Sequence, residues 1–414
     1  MNVLFLSLAP IASLEDRGIY PDLLRIFVKN GHFVRIISVQ PDRATYDDRR
    51  EGYAVLHVQT PQMQKVGLLK KGIASLQIGP NIRRALDRHC RNERYDLILM
   101  ATPPITLAGV VAYIKKRDGA KFYLLLKDIW PQGIADLGAI SQSGPVYRYF
   151  RAKEKKLYAL ADQIGCMSPA NVKYVLRHNP ALEPQQVEVC PNSEEPDFWT
   201  VSPEEASAIR AKYGIPQGRK IFLYGGNLGR PQNIPFVVEC LRAAVHVPDA
   251  FFVICGSGTE YGKLQTFVEA EKYSNFLLLS GLPRADYDKL VRSCHVGLLF
   301  LDHRFTIPNF PSRLLSYLQA GLPVIACTDP ATDIGDIAQA GSVPATPQPL
   351  LCGRWNAPAL QISLPWAMRD ECIFLLIIQR SRVMRSSCED WSAEAYVSRK
   401  NLNDHRRDRL LRQR

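Results

Sequence analysis

The chain lacks most of the features that mark secreted, membrane-spanning or metal-binding proteins. Its ten cysteines are scattered, with neither a Cys-x-x-Cys pair nor a histidine at metal-ligand spacing, so a disulfide scaffold is not expected. The long apolar stretch at 97–114 is interrupted by Pro103 and Pro104, which predicts a strand followed by a helix. Residues 1–13 lack a charged start and are better explained as a first strand than as a signal sequence. These absences favour a protein of the reducing cytosol.

What the chain does have is an alternation of short apolar runs and helical stretches. Strand-like runs occur at 2–8, 33–39, 96–101 and 121–126, separated by segments of helical character. The alternation predicts βαβ units and parallel sheets, which is the α/β fold class. A length of 414 residues with 46% hydrophobic residues suits two domains.

The domain boundary is expected where prolines and acidic residues cluster. Pro191 and Pro196 lie among acidic neighbours, a composition typical of a linker or hinge. We therefore predict a first domain at 1–190, a linker at 191–200 and a second domain at 201–343.

Two glycine-rich turns follow buried strands in the second domain. The apolar run at 221–224 precedes GGNLGRPQN, and the run at 251–255 precedes Gly256 and Gly258. Either turn alone is weak evidence, because glycine also serves ordinary strand-to-helix connections. With a third segment they indicate a ligand site at the carboxyl edge of a parallel sheet.

The third segment, FPSRLLSYLQAGLPVIACT at 310–328, predicts a short amphipathic helix followed by a buried strand. Ser312 stands where it would cap the helix, with Arg313 and Ser316 on the first turn beside unpaired backbone N–H groups. Gly321 is the expected C-terminal glycine. A diphosphate fits such a helix start.

In order and spacing, these blocks resemble the nucleotide-sugar half of retaining, family 4 type glycosyltransferases with the GT-B fold. The blocks are GGNLGRPQN, CGSG, SGLPRADYDKLVRSCHVGLLFL and IPNFPSRLLSYLQAGLPVIA. The N-terminal half agrees through NVLFLS, RGIYPDLLRIFVKNGHFVRIISV, YDLILMATPP, FYLLLKDIWPQ and CPNSEEPDFW. The resemblance covers residues 1–343. It is strongest for bacterial enzymes of O-antigen and capsule assembly that transfer N-acetylated amino sugars such as N-acetylfucosamine.

The resemblance implies two Rossmann-like domains facing across a cleft and the transfer of a sugar from a nucleoside diphosphate, expected to be UDP. Negative charge develops on the leaving diphosphate, so the site must stabilise it. Many glycosyltransferases use Mg²⁺ held by an Asp-x-Asp, which GT-B enzymes do not need, and we expect neither metal nor cofactor. The residues expected to bind the donor and its phosphates are Gly226, Asn227, Arg230, Gly256, Gly258, Leu282, Pro283, Asn309, Ser312, Arg313, Leu314 and Ser316.

Several of these residues also have plain structural explanations. Arg230 is alternatively a solvated loop residue and Arg313 a surface helix residue. Leu282 and Pro283 follow a strand where the family's backbone reads the nucleobase, and alternatively they form only a strand-ending turn.

The sequence departs from the family at two places. The family's Glu-x7-Glu pattern falls on Pro308 and Ser316, and the common Arg and Lys of the first glycine turn appear as Asn227 and Gln232. We interpret this as a subfamily in which Arg230 and Arg313 carry the phosphates. An inactive homologue is the alternative.

In the first domain, Asp128 ends a buried strand in LLLKDIWPQ. The resemblance places it at the active site, where a carboxylate accepts the proton of the acceptor hydroxyl or holds the sugar ring. A capping or loop aspartate is the alternative. Gly18 starts the first helix near the cleft, as the family requires, and Arg17 and Tyr20 are expected to contact acceptor or phosphate.

Positive charge is concentrated in the first domain. Between residues 61 and 160 there are 18 Lys and Arg against 7 Asp and Glu, much of the surplus at 62–94 and 115–117. A solvated helix face is one explanation. The other is a surface that rests on anionic lipid and suits a lipid-diphosphate-linked glycan acceptor, which implies a peripheral place at the cytosolic face of the membrane. Nucleic acid is not expected as a partner, because no binding motif accompanies the charge.

The last 71 residues, 344–414, depart from the family. They carry 11 Arg and one Lys and show little periodicity apart from CIFLLII. We predict a poorly ordered tail, and its composition suggests an out-of-frame translation. The second domain would then be incomplete, so a GT-B-shaped nucleotide-sugar epimerase and an inactive nucleotide-sugar-binding protein stay open as alternatives to a transferase.

Overall fold

The computed structural model describes residues 1–41, 43–61, 68–196, 199–247 and 249–336 and the backbone of Ile373–Ile377; for 68–75 it describes the backbone alone. The chain divides into two compact units. The first comprises Met1–Glu195 and Thr306–Pro308. The second comprises Pro196–Phe305 and the described residues from Asn309 onward. Each is an α/β unit built on a largely parallel sheet, which confirms the predicted fold class.

The first unit is built on an eight-stranded sheet. Its strands are β1 (Asn2–Leu6), β2 (Phe33–Gln40), β3 (Tyr46–Arg49), β4 (Tyr53–Gln59), β5 (Leu97–Ala101), β6 (Lys121–Leu126), β7 (Gln163–Cys166) and β8 (Val187–Val189). They lie in the order β3-β4-β2-β1-β5-β6-β7-β8, and only β3 runs antiparallel to its neighbour. All four strands predicted in this half are present.

Helices lie in most of the connections between consecutive strands. They are α1 (Ile19–Lys29), α2 (Leu68–His89), α3 (Ala108–Asp118), α4 (Gln132–Asp136), α5 (Pro145–Leu160) and α6 (Pro169–His178). Local chemistry sets their ends: the Ser168 side chain accepts from the Asn171 amide at the start of α6, and Gly119, with φ 71°, ends α3. No helix in the described part of the chain is both long and apolar enough to span a bilayer.

The second unit contains a six-stranded sheet. Its strands are β9 (Lys220–Asn227), β10 (Ala250–Ser257), β11 (Phe276–Leu279), β12 (Val296–Phe300), β13 (Val324–Thr328) and β14 (Ile373–Ile377), and its helices are α7 (Pro203–Lys212), α8 (Ile234–Ala244), α9 (Tyr261–Glu271), α10 (Arg284–Ser293) and α11 (Arg313–Gln319). The strand order is β11-β10-β9-β12-β13-β14. Chain order therefore reverses direction between β9 and β12.

The strand β14 pairs antiparallel with β13. It coincides with the apolar CIFLLII run. The rest of the predicted tail at 344–414 lies outside the described residues.

The segment Thr306–Pro308 belongs to the first unit although its chain neighbours on both sides belong to the second. The Asp136 carboxylate accepts from the Thr306 amide at 2.8 Å and from the Thr306 hydroxyl at 3.0 Å. The buried Asn171 side-chain amide donates to the Pro308 carbonyl at 2.7 Å. Pro308, aligned with a family glutamate, thus contributes its backbone to the fold.

A buried ion cluster fastens the β3 edge of the first sheet. The fully buried Arg35 guanidinium contacts the carboxylates of Asp47 and Glu93, its Nε lying 3.0 Å from Glu93 Oε2. Tyr95 donates to the same Glu93 oxygen at 2.9 Å. Burial alone would raise the pKa of Glu93, but the hydrogen bonds and charge of Arg35 hold that pKa below its ordinary value. Glu93 is therefore a carboxylate in the folded protein.

We expect Arg35→Ala to lower the free energy of unfolding by about 3–5 kcal/mol, because it leaves two carboxylates without their buried cation. The control is Arg50→Ala, which removes an exposed guanidinium paired with Asp48 and should lower the free energy of unfolding far less. Urea denaturation measures both. Since the pKa of Glu93 is lowered from its ordinary value of 4.5, the stability that Glu93 contributes is fully present above that pH and is lost as pH falls through the lowered pKa. Equal losses in the two variants would contradict the cluster's role.

Candidate functional site

A crevice is expected where the order of the second sheet reverses, because open α/β sheets bind ligands at such a point. Here β9 and β12 pair only through Val296 with Phe222 and Gly297 with Leu223. Beyond that pair, the buried Tyr317 hydroxyl bridges the strands. It accepts from the Gly225 amide at 3.0 Å and lies 3.1 Å from the Leu223 carbonyl and 3.2 Å from that of Leu298.

The two predicted glycine turns lie side by side at the carboxyl edge of β9 and β10. A Cβ on Gly256 would lie 1.8 Å from the Gly226 carbonyl oxygen, and one on Gly258 would lie 2.2 Å from that of Leu228. Only glycine fits at either position. The packing of one turn against the other therefore explains why glycine stands at both positions. A contact of this backbone with the nucleotide stays a prediction.

The first turn is ordered by amide side chains where the family has cations. Gln232 is buried, and its Oε1 accepts from the Gly229 amide at 3.0 Å and from Asn227 Nδ2 at 3.4 Å. Asn227 and Gly226, with φ 129°, are exposed at the strand end. Arg230 is also exposed and makes no ion pair within the described residues. The first turn thus exposes its backbone and the Arg230 guanidinium to solvent.

Arg313 lies against this turn. Its guanidinium carbon is 4.4 Å from the centre of the Tyr224 ring and 3.5 Å from the position of a Cβ on Gly226. Its Nη1 is buried and has no hydrogen-bond partner among the described residues. An arginine fixed by ring stacking, with a donor still to be satisfied, is suited to bind an anion.

The start of α11 differs from the prediction at two residues. Ser312 has helical angles, φ −61° and ψ −25°, and makes no capping hydrogen bond, so the predicted cap is wrong. Leu314 was expected at the donor site. Its side chain is in the hydrophobic core instead, 4% exposed, and its amide donates to the Pro311 carbonyl at 3.2 Å. Ser316 is half-buried one turn further on. Arg313 is the residue of this segment that faces Gly226.

The remaining donor candidates lie on loops of the same unit. Asn309 is half-buried, and its carbonyl accepts from the Thr332 hydroxyl at 2.6 Å. Leu282 packs partly buried against the core, and Pro283 is exposed before α10. These positions leave a role in nucleobase binding as a prediction.

Helix α10 also carries an Asp-x-Asp triplet, Asp286 to Asp288. Asp286 pairs with Lys212 at 2.6 Å, and Asp288 pairs with Arg284 at 2.9 Å. Within the described residues, no group of three or more acidic, histidine or cysteine side chains has the arrangement of a metal site.

Three tyrosines that the sequence analysis missed surround Gly225 and Gly226. They are Tyr224 under Arg313, Tyr317 between the strands, and Tyr287, whose hydroxyl occupies the place of a Cβ on Gly225. Burial raises the pKa of all three hydroxyls, which therefore stay protonated. The sequence held one signal of this packing. Gly225 and Gly297 lie inside strands, where a glycine indicates that another group packs closely against the strand backbone.

In the first unit, Asp128 follows β6 and its backbone is held by the Thr102 hydroxyl. That hydroxyl accepts from the Lys127 amide at 3.0 Å and lies 3.2 Å from the Asp128 carbonyl. The Asp128 side chain is partly open to solvent, and desolvation by the protein around it raises the pKa of its carboxyl to about 6, although a hydrogen bond from the Ile129 backbone lowers it. Such a group is ionised near neutral pH and accepts a proton readily.

The other acceptor candidates are at the start of α1. Gly18, with φ 144°, precedes the helix, and its amide donates to Asp22 at 3.1 Å. Arg17 is exposed and donates to the Glu195 carbonyl at 2.7 Å. The Tyr20 ring packs on Phe5 at 5.3 Å, and burial raises the pKa of its hydroxyl to about 12. Tyr20 is half-buried and packs against the core, and Gly18 is half-buried at the helix start. Contact of Arg17, Gly18 and Tyr20 with the acceptor stays a prediction.

Family models cover most of the chain. The model for a glycosyl transferase 4-like domain matches residues 21–193, and the model for glycosyl transferases group 1 matches residues 205–338.

Individual proteins are similar at lower identity. The probable glycosyltransferase WbjE of Pseudomonas aeruginosa is 23% identical over 280 residues, which span 67% of this chain and 68% of that protein. The putative colanic acid biosynthesis glycosyl transferase WcaI of Escherichia coli K12 is 24% identical over 257 residues, 60% of this chain and 61% of that protein. Among solved structures, Anabaena HepE in complex with UDP and glucose superposes with a TM-score of 0.53 at 16% identity, covering 78% of this chain and 80% of that one. The likeness to HepE concerns the fold.

We expect Gly258→Ala to destabilise the second unit by about 1–3 kcal/mol, because its Cβ would displace the Leu228 backbone. Gly262→Ala is the matched control: this glycine is on α9, where a Cβ would have no neighbouring atom within 4 Å, and the substitution should be neutral or stabilising by up to about 1 kcal/mol. Calorimetric melting of both variants measures the difference. Similar melting temperatures would show that the two turns tolerate separation.

Proposed function

Because this chain is a glycosyltransferase of the GT-B type, with a 4-like domain followed by a group 1 domain, we propose that its donor is UDP linked to an N-acetylated amino sugar. The acceptor is a lipid-diphosphate-linked glycan of O-antigen or capsule assembly. The enzyme acts without a metal ion, retains the anomeric configuration, and works at the cytosolic face of the bacterial membrane. The similarity to a putative colanic acid biosynthesis enzyme supports a polysaccharide product.

The observation that carries the proposal is the arrangement of Arg313. Its guanidinium stacks on the Tyr224 ring, and the buried Nη1 donor has no partner among the described residues. Leaving such a donor unsatisfied costs free energy, which an anionic ligand would recover. The exposed Gly226 next to it allows a diphosphate to approach the backbone.

The bond between the anomeric carbon and the diphosphate oxygen breaks as the acceptor oxygen bonds to that carbon. Negative charge accumulates on the leaving diphosphate, where Arg313 and Arg230 stabilise it. The acceptor hydroxyl loses its proton, and Asp128 is the base that we assign to take it. The products are UDP and the extended glycan.

A direct assay tests this proposal. The purified full-length chain is incubated with a panel of nucleotide sugars, with and without a diphospholipid-linked GlcNAc acceptor, and products are measured by mass. Acceptor-dependent release of UDP with a mass gain on the lipid supports a transferase. Conversion of the donor alone would instead establish an epimerase. Binding without turnover would favour an inactive homologue.

In the same assay we expect Arg313→Gln to lower kcat/KM for the donor by about 10- to 100-fold, the equivalent of one charged hydrogen bond. Arg313→Lys keeps the charge but loses the planar stack, so it should recover only part of the activity. The control is Arg242→Gln, which should leave kcat/KM unchanged. Arg242 also lies over an aromatic ring, that of Phe267, but it pairs with Glu271. An unchanged kcat/KM in Arg313→Gln would rule Arg313 out as the phosphate ligand.

Asp128 predicts a pH dependence. A base must be ionised to act, and the pKa of Asp128 in the free protein is raised to about 6, so kcat/KM should fall as pH drops through that value. Asp128→Asn should lower kcat by about 10²- to 10⁴-fold and abolish this acid limb. Asp48→Asn, at the exposed sheet edge, should leave the profile unchanged. An acid limb that persists in Asp128→Asn would assign the base to another group.

A further inference from the structure

The exposed face of α5 combines apolar and cationic side chains. Val146 and Tyr149 are 51% and 44% exposed and lie one helical turn apart. The next turn carries Lys153, whose Nζ is 5.2 Å from the centre of the Tyr149 ring. Lys156 is exposed on the same side, and Arg148 and Lys155 are exposed at the opposite edge of the solvent-facing half of the helix. The solvent-facing half of one helix therefore carries two apolar side chains and four cations.

The four cations on this face, Arg148, Lys153, Lys155 and Lys156, make no ion pair in the described part of the chain. Burial raises the pKa of the neighbouring Glu154, and the charge of Lys155 partly offsets that rise. The acid of the same helix, Glu154, is buried and bonded to Arg151 and Tyr158. Its charge is directed into the protein.

Some other basic residues of this unit are paired. Lys115 bonds to Asp162 at 2.6 Å, Arg117 to Asp118 at 2.6 Å, and Arg94 approaches Asp118 at 3.6 Å. On α2, Arg83 approaches Asp87 at 3.9 Å and lies over the Tyr113 ring. Part of the basic stretch that the sequence pointed to is therefore compensated locally. Arg84, Arg88, Arg91 and Lys116 make no ion pair within the described residues, and α5 differs from them in carrying two exposed apolar side chains one turn apart.

We propose that the α5 face, formed by Val146, Arg148, Tyr149, Lys153, Lys155 and Lys156, is the surface on which the enzyme rests on an anionic lipid bilayer. The proposal rests on the proposed function, which requires access to a lipid-linked acceptor. Cations on an interfacial helix bind anionic headgroups, and a tyrosine and a valine on the same face enter the headgroup and acyl boundary. The exposed apolar pair favours a bilayer over a nucleic acid, whose phosphates would use the cations alone.

Vesicle sedimentation of the full-length chain tests this surface. Vesicles of phosphatidylcholine with phosphatidylglycerol are compared with pure phosphatidylcholine, in low and high salt. Each cation near the surface should contribute about five-fold to partitioning, so Lys153→Gln, Lys155→Gln and Lys156→Gln together should lower the partition coefficient by about 100-fold. Val146→Ser with Tyr149→Ser should weaken the binding that remains in high salt. The matched control combines Arg83→Gln, Arg84→Gln and Arg88→Gln on α2, which removes the same number of positive charges.

Loss of anionic-vesicle binding in the α5 variants, with binding kept in the α2 control, supports the surface. The reverse result, or wild-type protein that does not sediment with anionic vesicles, overturns it. Tighter binding of the wild type to a fluorescent oligonucleotide than to vesicles also overturns it. Transfer to a water-soluble acceptor analogue is measured in parallel, and the α5 variants should retain it at the wild-type rate. Failure of the wild type in that assay would count against the proposed function and leave the vesicle result intact.

Discussion

The second unit depends on the Tyr317 hydroxyl. Strands β9 and β12 must diverge at the reversal of the sheet, and divergence leaves backbone amides and carbonyls without ladder partners. A single buried hydroxyl satisfies the Gly225 amide and faces two carbonyls. Its ring is accommodated because Gly297 has no side chain; a Cβ there would be 2.6 Å from it. The same helix that carries Tyr317 begins with Arg313. The element that closes the sheet thus also positions the cation of the crevice.

This arrangement explains how the turns and Arg313 are held in place without carboxylate side chains in the crevice. The turns after β9 and β10 are locked together by backbone contact at Gly256 and Gly258, and Gln232 fixes the first turn from within. Arg313 is fixed by Tyr224 rather than by a carboxylate. A cation that is held by ring stacking keeps its charge for a ligand, whereas one in an ion pair would have to exchange partners.

The sequence was sufficient for the α/β class, for the strands with long apolar runs and for the two glycine turns, because each rests on local periodicity or on glycine next to a buried strand. It did not predict β3, β4, β7 or β8. It failed where the outcome depends on tertiary packing. Ser312 has the right residue type for a cap, but its backbone is already helical. Leu314 follows Arg313 in the chain and is turned into the core by helical geometry. The tyrosines around Gly225 are contributed by a strand and two helices, so no local pattern announces them.

The segment Thr306–Pro308 limits how the two units can be exchanged between related proteins in evolution. Because it belongs to the first unit while the chain before and after it belongs to the second, the backbone passes between the units three times, at 195–196, 305–306 and 308–309. A single cut cannot separate such a chain into two complete halves. A fragment that starts at Pro196 would carry a peptide whose partners, Asp136 and Asn171, were left behind. Recombination between related genes at the linker would therefore swap a mismatched segment, so the two halves are expected to be inherited together.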